Sequence, residues 1–147
     1  VTIRYRRWSA AIGEAAAPLL ALYEAAFDQA EPTYLLERLP RLEDAMLWIA
    51  EDAEGWAGFK LGYQRGATLL YSWLGGVHPR IRGQGVASAL MVRQHEAAAA
   101  EGYTHVETRT RAVNNAMIMA NLKHGFRVSG YEVDARGNPV VTLRKAL

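Results

Sequence analysis

The thirteen-residue run Gly75-Gly76-Val77-His78-Pro79-Arg80-Ile81-Arg82-Gly83-Gln84-Gly85-Val86-Ala87 constrains this chain more than any other stretch. It reads as a strand halted by a proline, a basic glycine-rich turn, and the opening of a helix. A turn of this kind carries few side chains, so backbone N–H groups face outward at a helix N-terminus. The partial positive charge there favours a phosphate. Arg80 and Arg82 add guanidinium groups able to pair with phosphate oxygens. The bland reading is a change of chain direction before a helix, which most short glycine turns provide.

Two common phosphate motifs are absent. There is no G-x-x-x-x-G-K-[ST], and no G-x-G-x-x-G follows an early strand. With 147 residues the length suits one domain, expected over residues 1–147. The net charge of +2 is compatible with an anionic ligand and too small to argue for nucleic acid. No cysteine is present, which removes disulfides, thiolate metal sites and a cysteine nucleophile. No apolar run reaches the ~18 residues of a membrane span, and Val1 to Arg7 lacks the apolar core of a signal peptide. A cytoplasmic protein acting without membrane, nucleic acid or metal is the expectation.

Periodicity and turn chemistry give the element order β-α-α-β-β-β-α-β-α-β-β. Thr2 to Arg6 reads as a strand, and Ala10 to Phe27 as an alanine-rich helix with Pro18 in its first turn or at a kink. Asp28 to Pro32 breaks the chain, Thr33 is placed to cap a second helix, and Pro40 ends it. Strands at Ala45–Glu51, Trp56–Gln64 and Thr68–Val77 form a meander. A helix from Gly85 to Glu101 leads to a strand at Tyr103–Arg111, then a helix at Asn114–His124. Val128–Asp134 and Pro139–Arg144 form a closing hairpin. The passage from Thr68 to Arg111 is a strand–helix–strand crossover, so its two strands run parallel in an otherwise antiparallel sheet. A ligand is expected at the carboxyl end of those strands.

At this point the chain resembles the GNAT superfamily of acyl-CoA-dependent N-acyltransferases. Arg82-Gly83-Gln84-Gly85-Val86-Ala87 matches its Q/R-x-x-G-x-G/A motif, preceded by Val77-His78-Pro79 in the place of V-x-P. Asn114, with Met117 in the usual Ala place, and Gly125-Phe126 match its second motif. The resemblance implies an α/β (α+β) fold with a mixed, mostly antiparallel sheet of six to seven strands and about four flanking helices. It implies acetyl-CoA as cofactor, its diphosphate on the N–H groups of Arg82, Gly83, Gln84, Gly85, Val86 and Ala87. The pantetheine arm would lie along the strand ending at Gly76, Val77 and His78, with Asn114 touching the arm. Asn114 reads equally well as a helix cap. Gly75 and Gly76 read as a bulge or as room for the thioester.

The activity implied is transfer of an acetyl group to a primary amine of a small molecule or peptide in a ternary complex. The N–H of Val77 would stabilise the oxyanion. Two family positions depart from the pattern. Asn121 stands where many relatives place a Tyr that protonates the leaving sulfur, and Tyr71 where some place a Glu base. Glu107 is the remaining candidate base, with an ion pair to Arg109 or Arg111 as its bland alternative. Tyr71 and Trp73 are candidates to line the amine pocket, or simply core. His124 reads as a helix-terminal residue favouring the dipole. The departures motivate a second reading, an acyl-CoA-binding module without turnover. Relatives commonly pair through their last strands, so a homodimer is a further implication.

Overall fold

A computed structural model describes residues 2–147. Seven strands form one sheet in the order β1-β2-β3-β4-β5-β7-β6. They are β1 (Arg4–Arg7), β2 (Met46–Asp52), β3 (Gly55–Gly66), β4 (Leu69–Val77), β5 (His105–Arg111), β6 (Arg127–Val133) and β7 (Pro139–Ala146). The helices are α1 (Ala16–Ala26), α2 (Pro32–Arg38), α3 (Val86–Ala100) and α4 (Asn115–Lys123). Element order and sheet type are those expected from the sequence, with seven strands and four helices.

Local differences have local causes. Helix α1 is preceded by a 3-10 turn at Ile12–Ala15, which leaves Pro18 in the first α-helical turn, where a missing N–H costs nothing. Thr33 does not cap α2. Pro32 occupies the first helical turn instead, and Glu31 precedes it without a side-chain cap. Proline's fixed φ is already helical, so it wins that position.

The helices split between the two faces of the sheet. Leu19, Leu22, Leu35 and Leu39 from the α1–α2 side pack on Ile49, Phe59 and Leu61 of β2 and β3. On the other face Leu90 and Val86 of α3 pack with Ala50 and Ala57, while Met91 and Ala98 meet Leu70, Val106 and Leu143. Gly58 brings α3 close: a Cβ there would stand 3.0 Å from Val86 Cγ1. At the far edge β6 exposes Val128, Tyr131 and Val133. No helix among the described residues is long and apolar enough to cross a membrane.

The centre of the sheet sets up the site. β4 and β5 pair in parallel only between Leu69–Tyr71 and His105–Glu107. Beyond that point β4 continues to Val77 and β5 to Arg111 without pairing to each other. Thr108 Oγ1 donates to Ser72 O at 3.0 Å where the strands part. A wedge opens in the middle of the sheet, closed at its narrow end by that bond.

Candidate active site

The wedge is a cleft of about 630 Å³. β4 forms one wall from Ser72 to Val77, β5 the other from Thr108 to Arg111, and α3 and α4 supply Ser88, Asn121 and His124. The backbone of β4 adds polar groups to it. His78 N donates to Ala57 O at 2.7 Å across the β3–β4 ladder. Antiparallel pairs alternate in which edge their amides face, and the register runs Val77↔Gly58, Gly76↔Phe59, Gly75↔Lys60. The N–H groups of Val77 and Gly75 therefore turn away from β3, towards the edge that β5 has left. An extended molecule with amide groups could pair along that edge as an added strand.

Past the cleft mouth, Pro79–Ile81 forms a 3-10 turn, and Gly83 and Gly85 take φ values of +80° and +77°. L-residues avoid this left-handed region, whereas glycine enters it without steric cost. A Cβ at either position would meet nothing within 4 Å, so solvent space, not protein, lies over this turn. Gly85 is the N-cap of α3 and supplies no capping side chain. Among the described residues, no protein acceptor takes the N–H groups from Gly83 to Ser88. These free donors at a helix N-terminus form a ready anion site.

The two arginines of the turn behave differently from the sequence expectation. Arg80 is held by Asp52 at 2.8 Å, by Glu54 at 3.3 Å and by Trp56 O, so its charge is already matched. Hydrogen bonds from Arg80 hold the Asp52 carboxyl below its usual range. Arg82 donates to Val77 O at 3.2 Å and to Ala26 O at 2.8 Å, which fixes the turn to β4 and to the end of α1. Its own N–H donates to Pro79 O. Arg82 thus shapes the anion site, whose free donors begin at Gly83. The glycines of β4 are not a bulge either. The register shift lies between Leu61 and Gly62, opposite Leu74 and Ser72, and leaves Trp73 as the extra residue. Gly75 and Gly76 answer crowding: a Cβ on Gly76 would lie 3.0 Å from Ala26 Cβ and 3.1 Å from Phe27 Cε2.

Asn114 caps α4, its Oδ1 accepting from Met117 N at 3.1 Å, and it also lines the cleft. Asn121 lines it from the next turns of α4 and is almost fully buried. His124 Nε2 and Ser88 Oγ lie 2.7 Å apart and tie α4 to α3. Burial, with smaller contributions from Lys145 and Lys60, lowers the His124 pKa.

Tyr71 and Glu107 lie opposite each other where β4 and β5 still pair, and neither lines the cleft. Glu107 is ion-paired with Arg144 at 2.8 Å, its register partner on β7, and with Arg65 at 3.5 Å. Arg109 pairs instead with Glu132. Tyr71 packs under the Arg65 guanidinium, 4.1 Å from its ring centroid, and burial raises its phenol pKa. No Asp or Glu is among the residues lining the cleft.

Lys60 was missed at the sequence level. On β3 it faces α3, between Gly58 and Gly62, and crosses opposite Gly75 into the cleft. A Cβ on Gly75 would lie 3.0 Å from Lys60 Cδ and 3.5 Å from its Nζ. Burial pushes the ammonium down to about 8. The only sequence signal is Gly75 on the neighbouring strand, whose missing side chain leaves room for that of Lys60.

Residues 43–128, more than half of the chain, match the family model of the acetyltransferase (GNAT) domain. No curated protein matches the chain. Among solved structures, the ribosomal-protein-S18-alanine N-acetyltransferase from Escherichia coli superposes with a TM-score of 0.83 at 12% identity, covering 99% of this chain and 94% of that one. An IAA acetyltransferase from Bacillus cereus gives 0.82 at 16% identity over 99% and 100% of the two chains. The PaiA N-acetyltransferase from Thermoplasma acidophilum, solved in complex with coenzyme A, gives 0.77 at 15% identity with both chains fully covered. These likenesses establish a shared fold, and the family model joins it to the sequence: the chain belongs to the GNAT acetyltransferase domain family, whose acyl donor is acetyl-CoA.

Proposed function

We propose that this protein transfers the acetyl group of acetyl-CoA directly to a primary amine, with both bound in the cleft between β4 and β5. One observation carries the reading: an unpaired strand edge runs to the mouth of the cleft, and an uncapped helix N-terminus stands just past that mouth. The residues fit the cofactor. The donors of Gly83 to Ala87 suit its diphosphate, the edge of Gly75 and Val77 its amide-bearing arm, and Asn114 and Asn121 flank that arm. Bound there, acetyl-CoA supplies an activated thioester.

The chain's own groups then have distinct tasks. The Val77 N–H is aimed where negative charge gathers on the acyl oxygen, a contribution of roughly 3 kcal/mol in comparable sites. A new C–N bond forms and the C–S bond breaks. The amine, an ammonium with a pKa near ~10.4 in water, loses one proton to solvent before attack and a second after the C–N bond forms, because no carboxylate lines the cleft. Lys60 returns a proton to the sulfur and is recharged from solvent after each turnover. A donor at about 8 is matched to a thiol near ~8.5, so the transfer is close to balanced. This role replaces the Tyr that Asn121 displaces, since an amide can donate a hydrogen bond but not a proton.

The cleft's lack of a carboxylate base favours one competing reading, an acyl-CoA-binding module without turnover. Calorimetric titration with acetyl-CoA and a thiol-release assay over a panel of amines separate the two. Binding with release supports the transferase. Binding without release for any amine supports the module, and no binding overturns both.

A further inference from the structure

We infer that the acceptor is a small amine that also bears a carboxylate, and that Arg38, on an aromatic shelf joined to the cleft through Trp73, receives that carboxylate. The inference rests on the transferase reading and adds the substrate class. The shelf is built from three elements. Tyr34 and Arg38 are four residues apart on α2, Tyr63 comes from β3, and Trp73 is the bulged residue of β4 that also lines the cleft. Tyr34 and Tyr63 meet the Trp73 ring edge-on at 5.8 and 6.2 Å. The Arg38 guanidinium lies 5.2 Å from the Trp73 ring and 5.5 Å from that of Tyr34.

Arg38 is partly buried yet underused. Its one hydrogen bond goes to Tyr63 Oη at a long 3.4 Å, and its Nε is buried without a partner. Among the described residues it makes no ion pair with any carboxylate. Stacked guanidiniums with free edges are well suited to hold a carboxylate in bidentate fashion.

The surroundings have the same sign. Arg109 and Arg111 line the β5 wall, and Arg109 Nε is also buried without a partner. Three carboxylates on this side are already held, Glu107 by Arg65 and Arg144, Glu132 by Arg109, and Glu31 by Arg136. Asp134 accepts from the N–H groups of Arg136 and Asn138. A polyamine or a lysine-rich peptide would need free carboxylates here and finds none in the cleft wall. A carboxylate on the acceptor meets the opposite condition.

The same arginines also help the chemistry. Nearby positive charge disfavours an ammonium, so it lowers the pKa of a bound amine and raises the fraction able to attack. Holding the acid and freeing the amine become two effects of one electrostatic field. A side-chain carboxylate base would cancel part of that field, in keeping with its absence from the cleft.

The test compares each free amino acid with its amide and its decarboxylated amine, alongside spermidine and a lysine-rich peptide. Binding is measured by calorimetry with and without coenzyme A, and turnover by thiol release with acetyl-CoA. At least one amino acid should bind ten-fold or more tightly than its amide and its decarboxylated amine. Arg38→Gln should bring the affinity for the acid down to that for its amide, leaving coenzyme A affinity unchanged. If that variant does not fold, the acid-to-amide ratio in the unaltered protein decides alone. Equal affinity of acid and amide, no binding of any amino acid, or preference for spermidine or the peptide overturns the inference. Turnover of such other amines would leave the transferase reading standing, whereas failure of acetyl-CoA to bind strikes that reading instead.

Discussion

The two sides of the cleft are built from different materials. The side proposed for the cofactor is made mostly of main chain: the open edge of Gly75 and Val77 and the bare donors from Gly83 onward. The proposed acceptor side is made of side chains drawn from α2, β3, β4 and β5. Main-chain donors depend on φ, ψ and the absence of a Cβ, which one short contiguous motif can specify. A side-chain surface depends on register between strands far apart in sequence, and it can change without touching the fold. The first side follows the family motif, and the second is where chains with the same fold can differ in substrate.

Substitutions can break that contrast. Gly85→Glu should have the largest effect, weakening coenzyme A by at least about 100-fold in calorimetry. It forces a carboxylate-bearing residue into φ +77° and sets negative charge over the anion site. Unchanged affinity would remove the main-chain account of that side. Lys60→Met should leave coenzyme A affinity alone and lower kcat by about 100-fold, the low end of the span of general acid catalysis. An equal loss of affinity would make Lys60 a binding residue.

A third prediction concerns the packing behind the cofactor side. His95 of α3 is buried against Phe126, with Lys145 Nζ 2.9 Å from its Nδ1. Burial first, then Lys145, Lys60 and His124, push it down to about 3. Between the unfolded value near 6.5 and that folded value, the unfolded chain binds the extra proton and the folded one does not. Stability should therefore fall as pH drops from 6.5 towards 3, by about 1.4 kcal/mol per unit, hence about 2 kcal/mol by pH 5. Urea unfolding at stepped pH reads this directly, and His95→Gln should flatten the slope. The smallest effect is expected from Thr108→Val. Losing its bond to Ser72 O at the narrow end of the wedge should cost about 1 kcal/mol of stability in the same urea assay.

Legibility in the sequence follows the same division. The order of elements, the parallel crossover and the glycine turn were all readable, because turn residues and hydrophobic periods act locally. The cap at Asn114 was readable for the same reason. What was not readable depends on partners remote in sequence. Arg80 looked free until Asp52, at the end of β2, was found beside it. Glu107 was expected near Arg109 or Arg111, which sit along its own strand. Its partners are instead Arg144 across the ladder and Arg65 from the end of β3. Lys60 looked like an ordinary strand residue, and only its passage against Gly75 on the neighbouring strand shows where its chain goes. Arg38 gave no signal, because a shelf of four residues from three elements has no linear pattern.

The central claim is that main-chain N–H groups, at the strand edge and at the helix N-terminus together, hold coenzyme A. It is tested most directly by amide NMR during a titration with the coenzyme. The largest shifts should fall on Gly75, Val77 and the span Gly83 to Ala87, saturating together. Shifts that gather elsewhere while those amides stay still would contradict it.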